Sequence, residues 1–71
     1  MLNELDFETL TLDQHGELAI MTLNRPQTLN LLSGLALAEM VEAVEAVAEV
    51  PEILALIVTG AGQTFSAGAD I

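Results

Sequence analysis

Ile53-Leu54-Ala55-Leu56-Ile57-Val58-Thr59-Gly60-Ala61-Gly62 is the stretch that decides how this chain folds. A half-wet strand alternates apolar and polar residues. An unbroken apolar run with β-branched residues, closed by glycines, suits instead a strand covered on both faces in a parallel sheet. A parallel neighbour has to be reached by a crossover, usually a helix. The residues upstream should therefore hold a helix and, before it, a second strand.

Both are legible. Ser33 is a candidate N-cap, although Ala36 three positions on leaves the capping box incomplete. From there Leu37, Met40, Val41, Val44, Val47 and Ala48 recur at spacings of three and four and predict the buried stripe of an amphipathic helix. Glu39, Glu42, Glu45 and Glu49 are assigned to the opposite, solvent-facing side, and Pro51 stops the helix. Further back, Phe7 to Leu12 and the strongly apolar Leu18 to Leu23 flank the turn residues Asp13-Gln14-His15-Gly16-Glu17 and read as an antiparallel hairpin. Asn24-Arg25-Pro26 ends its second strand, because proline has no N–H for a ladder. The result is an α/β chain, a β-hairpin followed by a βαβ unit.

Composition narrows the function. One Lys+Arg against eleven Asp+Glu, a net charge of −10 in 71 residues, opposes binding to nucleic acid, whose phosphates are neutralised by basic side chains. An anionic membrane surface is disfavoured for the same reason. Residues 1–6 lack the features of a secretory signal, and no apolar run approaches the roughly 20 residues that span a bilayer. Without cysteine there is neither a disulfide nor a thiol nucleophile. The expectation is a soluble, cytoplasmic chain whose 52% hydrophobic content is meant for packing.

Ligands of open parallel α/β sheets gather beyond the carboxyl ends of the strands, which points to Gly60-Ala61-Gly62-Gln63-Thr64-Phe65-Ser66-Ala67-Gly68-Ala69-Asp70-Ile71. Its small residues let a ligand approach peptide N–H groups. A dinucleotide fingerprint fails because Phe65 stands where the third glycine belongs. A nucleophile elbow fails because Thr64 precedes Ser66 where glycine is required. Ser66 reads as structural, and His15 has no partner at metal-binding spacing, so no metal is expected.

Taken together, Leu23-Asn24-Arg25-Pro26, Leu29-Asn30-Leu31-Leu32-Ser33, the helix, Ile57-Val58-Thr59-Gly60-Ala61-Gly62 and Phe65-Ser66-Ala67-Gly68-Ala69-Asp70-Ile71 resemble, in order and spacing, the opening of crotonase-like enzymes, the enoyl-CoA hydratase/isomerase family. The resemblance implies the N-terminal part, residues 1–71, of a single crotonase-like domain of ClpP/crotonase spiral fold. It implies acyl-CoA chemistry, with reversible hydration of 2-enoyl-CoA the most natural reaction and coenzyme A entering as part of the substrate rather than as a separate cofactor. In the family a thioester enolate is held by two peptide N–H groups, and Ala69 matches the position of one of them. Gln27, Thr28, Ala67, Gly68, Asp70 and Ile71 match positions that line the coenzyme A site. Relatives often carry a basic residue near position 27, from which Gln27 departs. The second donor and the acid/base carboxylates match positions later than residue 71, and a homo-trimer or hexamer is typical of complete members.

Two readings from other classes compete. The apolar helix face and the open edge of the Ile53–Thr59 strand would suit an oligomerising interaction module without catalysis. A dinucleotide-binding domain is the third, and Phe65 weakens it.

Overall fold

The computed structural model describes residues 2 and 5–69. Strand β1 (Leu10–His15) pairs antiparallel with β2 (Leu18–Leu23), and β2 pairs parallel with β3 (Ala55–Gly60) in a sheet of order β1-β2-β3. Helix α1 (Gly34–Ala48) makes the crossover between β2 and β3. The hairpin is tighter than the turn residues predict. Asp13, Gln14 and His15 stay in β1, and Gly16-Glu17 alone make the turn, with His15 opposite Leu18. Gly16, at φ +61°, supplies the positive φ that a two-residue hairpin needs at its first position.

One face of the sheet carries the core. Leu10, Leu12, Ala19, Met21 and Leu23 are buried there, joined by Leu2 and by Ala43 from α1, with Met40, Val47, Ile53 and Leu56 packed against them. Full burial of side chains of this kind contributes about 1.5–3 kcal/mol each. Ser33 caps α1 as its position suggests, its hydroxyl accepting from the Ala36 N–H at 3.1 Å. The helix ends at Ala48, before Pro51.

Two further expectations fail, and both concern which side of an element is covered. Glu39 lies on the inward face of α1 with Ala36 and Ala43, whereas Leu37, Val41, Val44 and Ala48 are exposed. The buried stripe is thus displaced around the helix by about one residue. Apolar periodicity misplaces it because a carboxylate with hydrogen-bonding partners can be buried as well as a leucine. Likewise β3 is not covered on both faces among the described residues: Ile57 and Val58 remain 45% and 38% exposed. The exposed stripe of α1 lines an open apolar hollow of about 360 Å³ with Leu37, Met40, Val41, Val44 and Glu45.

Candidate functional site

The segments that leave β2 and β3 at their carboxyl ends are stitched together. After β2, the chain turns through the 3-10 helix Pro26–Thr28, and Leu29 and Asn30 follow in the left-handed region at φ +55° and +53°. This is costly for leucine and tolerated by asparagine. The turn aims the Asn30 side chain inward, where it is only 2% exposed. Its Oδ1 accepts from the Arg25 N–H at 2.8 Å, while Nδ2 donates to the carbonyls of Ala61 and Thr64 at 3.0 and 2.9 Å. Every polar atom of a buried amide is thereby satisfied, as burial demands.

The loop after β3 wraps round that amide. Its start is fixed by the Ala61 N–H, which donates to Leu23 O at 2.8 Å. Gly60 must be glycine: a Cβ would collide with the Phe65 carbonyl and come within 2.8 Å of both Asn30 Nδ2 and the Thr64 carbonyl. Gly62, at φ +84°, backs onto Pro26. Farther on, the Ser66 hydroxyl donates to Asn30 O at 2.8 Å and accepts from the Gly68 N–H at 3.0 Å. The Ala67 N–H donates to Leu29 O at 2.9 Å, and the Leu32 N–H to Gly68 O at 2.9 Å, within an isolated parallel bridge between Leu32 and Ala69.

That last bond sets a direction. In a planar trans peptide the carbonyl and the following N–H point opposite ways. With Gly68 O turned toward Leu32, the Ala69 N–H is turned away from it, and no acceptor engages it among the described residues. The Ala69 side chain is exposed. A backbone donor held in this manner is chemically suited to an oxyanion.

The other residues singled out in the sequence fall around this point. Gln27 and Thr28 are exposed on the Pro26–Thr28 turn, directly before the Leu29 carbonyl that accepts from Ala67. Gly68, at φ +101°, adopts a conformation that side chains resist. Asp70 and Ile71 lie outside the described residues. A hollow of about 250 Å³ opens beside Thr28, lined also by Thr9, Arg25, Leu31, Ser33 and Leu35. Among the described residues no cluster of His, Cys, Asp or Glu could hold a metal ion, and no helix is long and apolar enough to cross a membrane.

Two residues of this region were given no part in a site by the sequence. Asn30 is one; its signals were a lone amide in a leucine run and its place in the Leu29-Asn30-Leu31-Leu32-Ser33 block of the resemblance. Glu39 is the other. Its carboxylate accepts from the Glu8 N–H at 2.9 Å and from the Thr9 N–H and hydroxyl at 2.8 and 2.6 Å. Burial pushes this carboxyl up. The hydrogen bonds from Glu8 and Thr9, with the attraction of Arg25, outweigh burial and hold it below the ordinary glutamate value.

Comparison with known proteins gives a consistent answer. Residues 13–71 match the family described as enoyl-CoA hydratase/isomerase. A probable enoyl-CoA hydratase of Mycobacterium tuberculosis is 39% identical over 67 residues, covering 94% of this chain and 26% of that protein. The short-chain-enoyl-CoA hydratase of Clostridium acetobutylicum is 40% identical over 68 residues, again covering 94% and 26%. The crystal structure of an enoyl-CoA hydratase/isomerase from Mycobacterium paratuberculosis superimposes with a TM-score of 0.88 at 37% identity, over 92% of this chain and 26% of that one. The chain thus spans about a quarter of the length of the relatives it matches.

Proposed function

The chain belongs to the enoyl-CoA hydratase/isomerase family, and we propose that it contributes to acyl-CoA chemistry by offering the Ala69 N–H to the thioester oxygen of a bound substrate. The observation that carries this reading is the direction of that N–H, turned away from Leu32 by the bond between Leu32 and Gly68 O. When water adds to a 2-enoyl thioester, electron density moves onto the thioester oxygen as an enolate. A fixed backbone donor stabilises that charge without reorganising. Losing one such donor typically costs about a hundred- to a thousandfold in rate.

In this proposal the coenzyme A part of the substrate passes the same edge. Ala67 and Gly68 form one wall and Gln27 and Thr28 the other; Asp70 and Ile71 are assigned to the same site by the family resemblance alone. No separate cofactor takes part. The reaction is reversible hydration of a 2-enoyl-CoA, with a short acyl chain the first choice because the Clostridium relative is described as a short-chain-enoyl-CoA hydratase. Proton transfer is not assigned to α1. Glu39 is held ionised by its three donors, and Glu42, Glu45 and Glu49 are exposed.

The test is turnover of crotonyl-CoA by the whole protein. Ala69→Pro removes the N–H and should lower kcat by about a hundredfold or more, whereas Ala69→Gly keeps the N–H and should stay near the parent rate. Equal activity of the two variants would refute the role given to Ala69.

A further inference from the structure

Resting on that reading, we propose that Asn30 is the positioning residue of the Ala69 donor: a buried side chain on the β2 exit that fixes where the β3 loop carries its N–H. The loop from Ala61 to Ala69 has no regular ladder of its own apart from the single bridge at Leu32. Backbone bonds to Leu23, Leu29 and Leu32 hold single points of it, and three further bonds meet at one residue. Nδ2 of Asn30 grips Ala61 O and Thr64 O at the start of the loop. The backbone carbonyl of Asn30 takes the Ser66 hydroxyl, which in turn takes the Gly68 N–H.

The same residue also controls the other side of the frame. Oδ1 of Asn30 receives the Arg25 N–H, closing the turn that brings residues 29–32 alongside the loop. Leu32, two residues on, supplies the N–H that holds Gly68 O and so directs the Ala69 N–H the opposite way. Both sides of the Gly68–Ala69 peptide thus connect to one residue, through its backbone carbonyl on the Ser66 side and its side-chain amide at the two loop starts. Its positive φ adds a further requirement that asparagine and glycine meet better than other residues. Asn30 touches no reacting atom in this account; it acts through Gly68 and Ala69.

Asn30→Asp is the sharpest variant. It preserves size and the acceptor for Arg25, but it turns the donor that holds Ala61 O and Thr64 O into an acceptor facing them. In the whole protein the expected result is a kcat for crotonyl-CoA lowered about ten- to a hundredfold, with KM changed by less than about threefold. The infrared carbonyl stretch of bound crotonyl-CoA should move back toward its value in water, because a misplaced donor polarises the thioester less. Asn30→Gly, which keeps the backbone conformation available and removes every side-chain bond, should behave likewise. A folded Asn30→Asp or Asn30→Gly protein with parental kcat and carbonyl stretch overturns the proposal.

A measurement that needs no variant stands beside these. In the unmodified protein the Gly68 amide, bonded to Ser66 Oγ, should exchange with deuterium far more slowly than an open amide, and exchange at the open rate overturns the proposal too. If Ala69→Pro is inactive while the Asn30 variants are fully active, only the role of Asn30 is lost. Full activity of Ala69→Pro would remove the donor reading itself, and the role of Asn30 with it.

Discussion

Replacing Glu39 probes the buried contact that the apolar pattern of α1 least suggests. Its carboxylate takes three hydrogen bonds from residues 8 and 9, two of them from Thr9, which is 5% exposed. Bonds to a charged acceptor are each worth about 1.5–3 kcal/mol net. In Glu39→Ala, water can recover the Glu8 N–H, since Glu8 is exposed, but it reaches the Thr9 N–H poorly. Allowing for that recovery, the loss should be about 2–4 kcal/mol. Glu39→Gln keeps the shape but sets an amide N–H₂ against one of the donors, which should cost about 1–2 kcal/mol. With neither Trp nor Tyr in the chain, urea unfolding followed by far-UV circular dichroism is the assay.

The folded-state value of Glu39 lies below its ordinary 4.5. Above about pH 4.5 its contribution is therefore fully present, and it is lost as pH falls through the lower folded value. The stability difference between the parent protein and Glu39→Gln should accordingly be constant from pH 7 to 5 and shrink below that. A Glu39→Ala protein within about 0.5 kcal/mol of the parent, or a difference from Glu39→Gln that does not narrow in acid, would sink the reasoning.

Two substitutions test the rest of the framework. Gly60→Ala places a methyl against the Phe65 and Thr64 carbonyls and Asn30 Nδ2; it should destabilise by about 1–3 kcal/mol, seen as a lowered thermal midpoint, and should also lower turnover because the loop carrying Ala69 must shift. Ser33→Ala removes the hydroxyl that accepts from the Ala36 N–H and should cost about 1 kcal/mol in urea unfolding, with Ser33→Asp restoring most of it.

Local chemistry was enough for the order of the elements. The apolar run ending at Gly60, the Ser33 cap and the two strands of the hairpin each announce themselves through residues close in sequence, and all appear in the fold. Likewise, the small-residue stretch after β3 is visible as a place where peptide groups can be reached. The family could be recognised for a related reason: its motifs are short and local.

What the sequence could not settle were relations between residues about thirty apart. Periodicity put Glu39 in solvent because apolar spacing cannot register donors waiting at Glu8 and Thr9. It turned Leu37, Val41 and Val44 inward because nothing local says which flank of an apolar helix meets the sheet. Asn30 looked like one polar residue in a leucine run until the fold brought Ala61, Thr64 and Ser66 around it. The sequence by itself determined which segments become strands and helix and where a donor loop begins. Only the tertiary structure decided which polar groups meet across the two strand ends, since a hydrogen bond depends on distances that no spacing along the chain specifies.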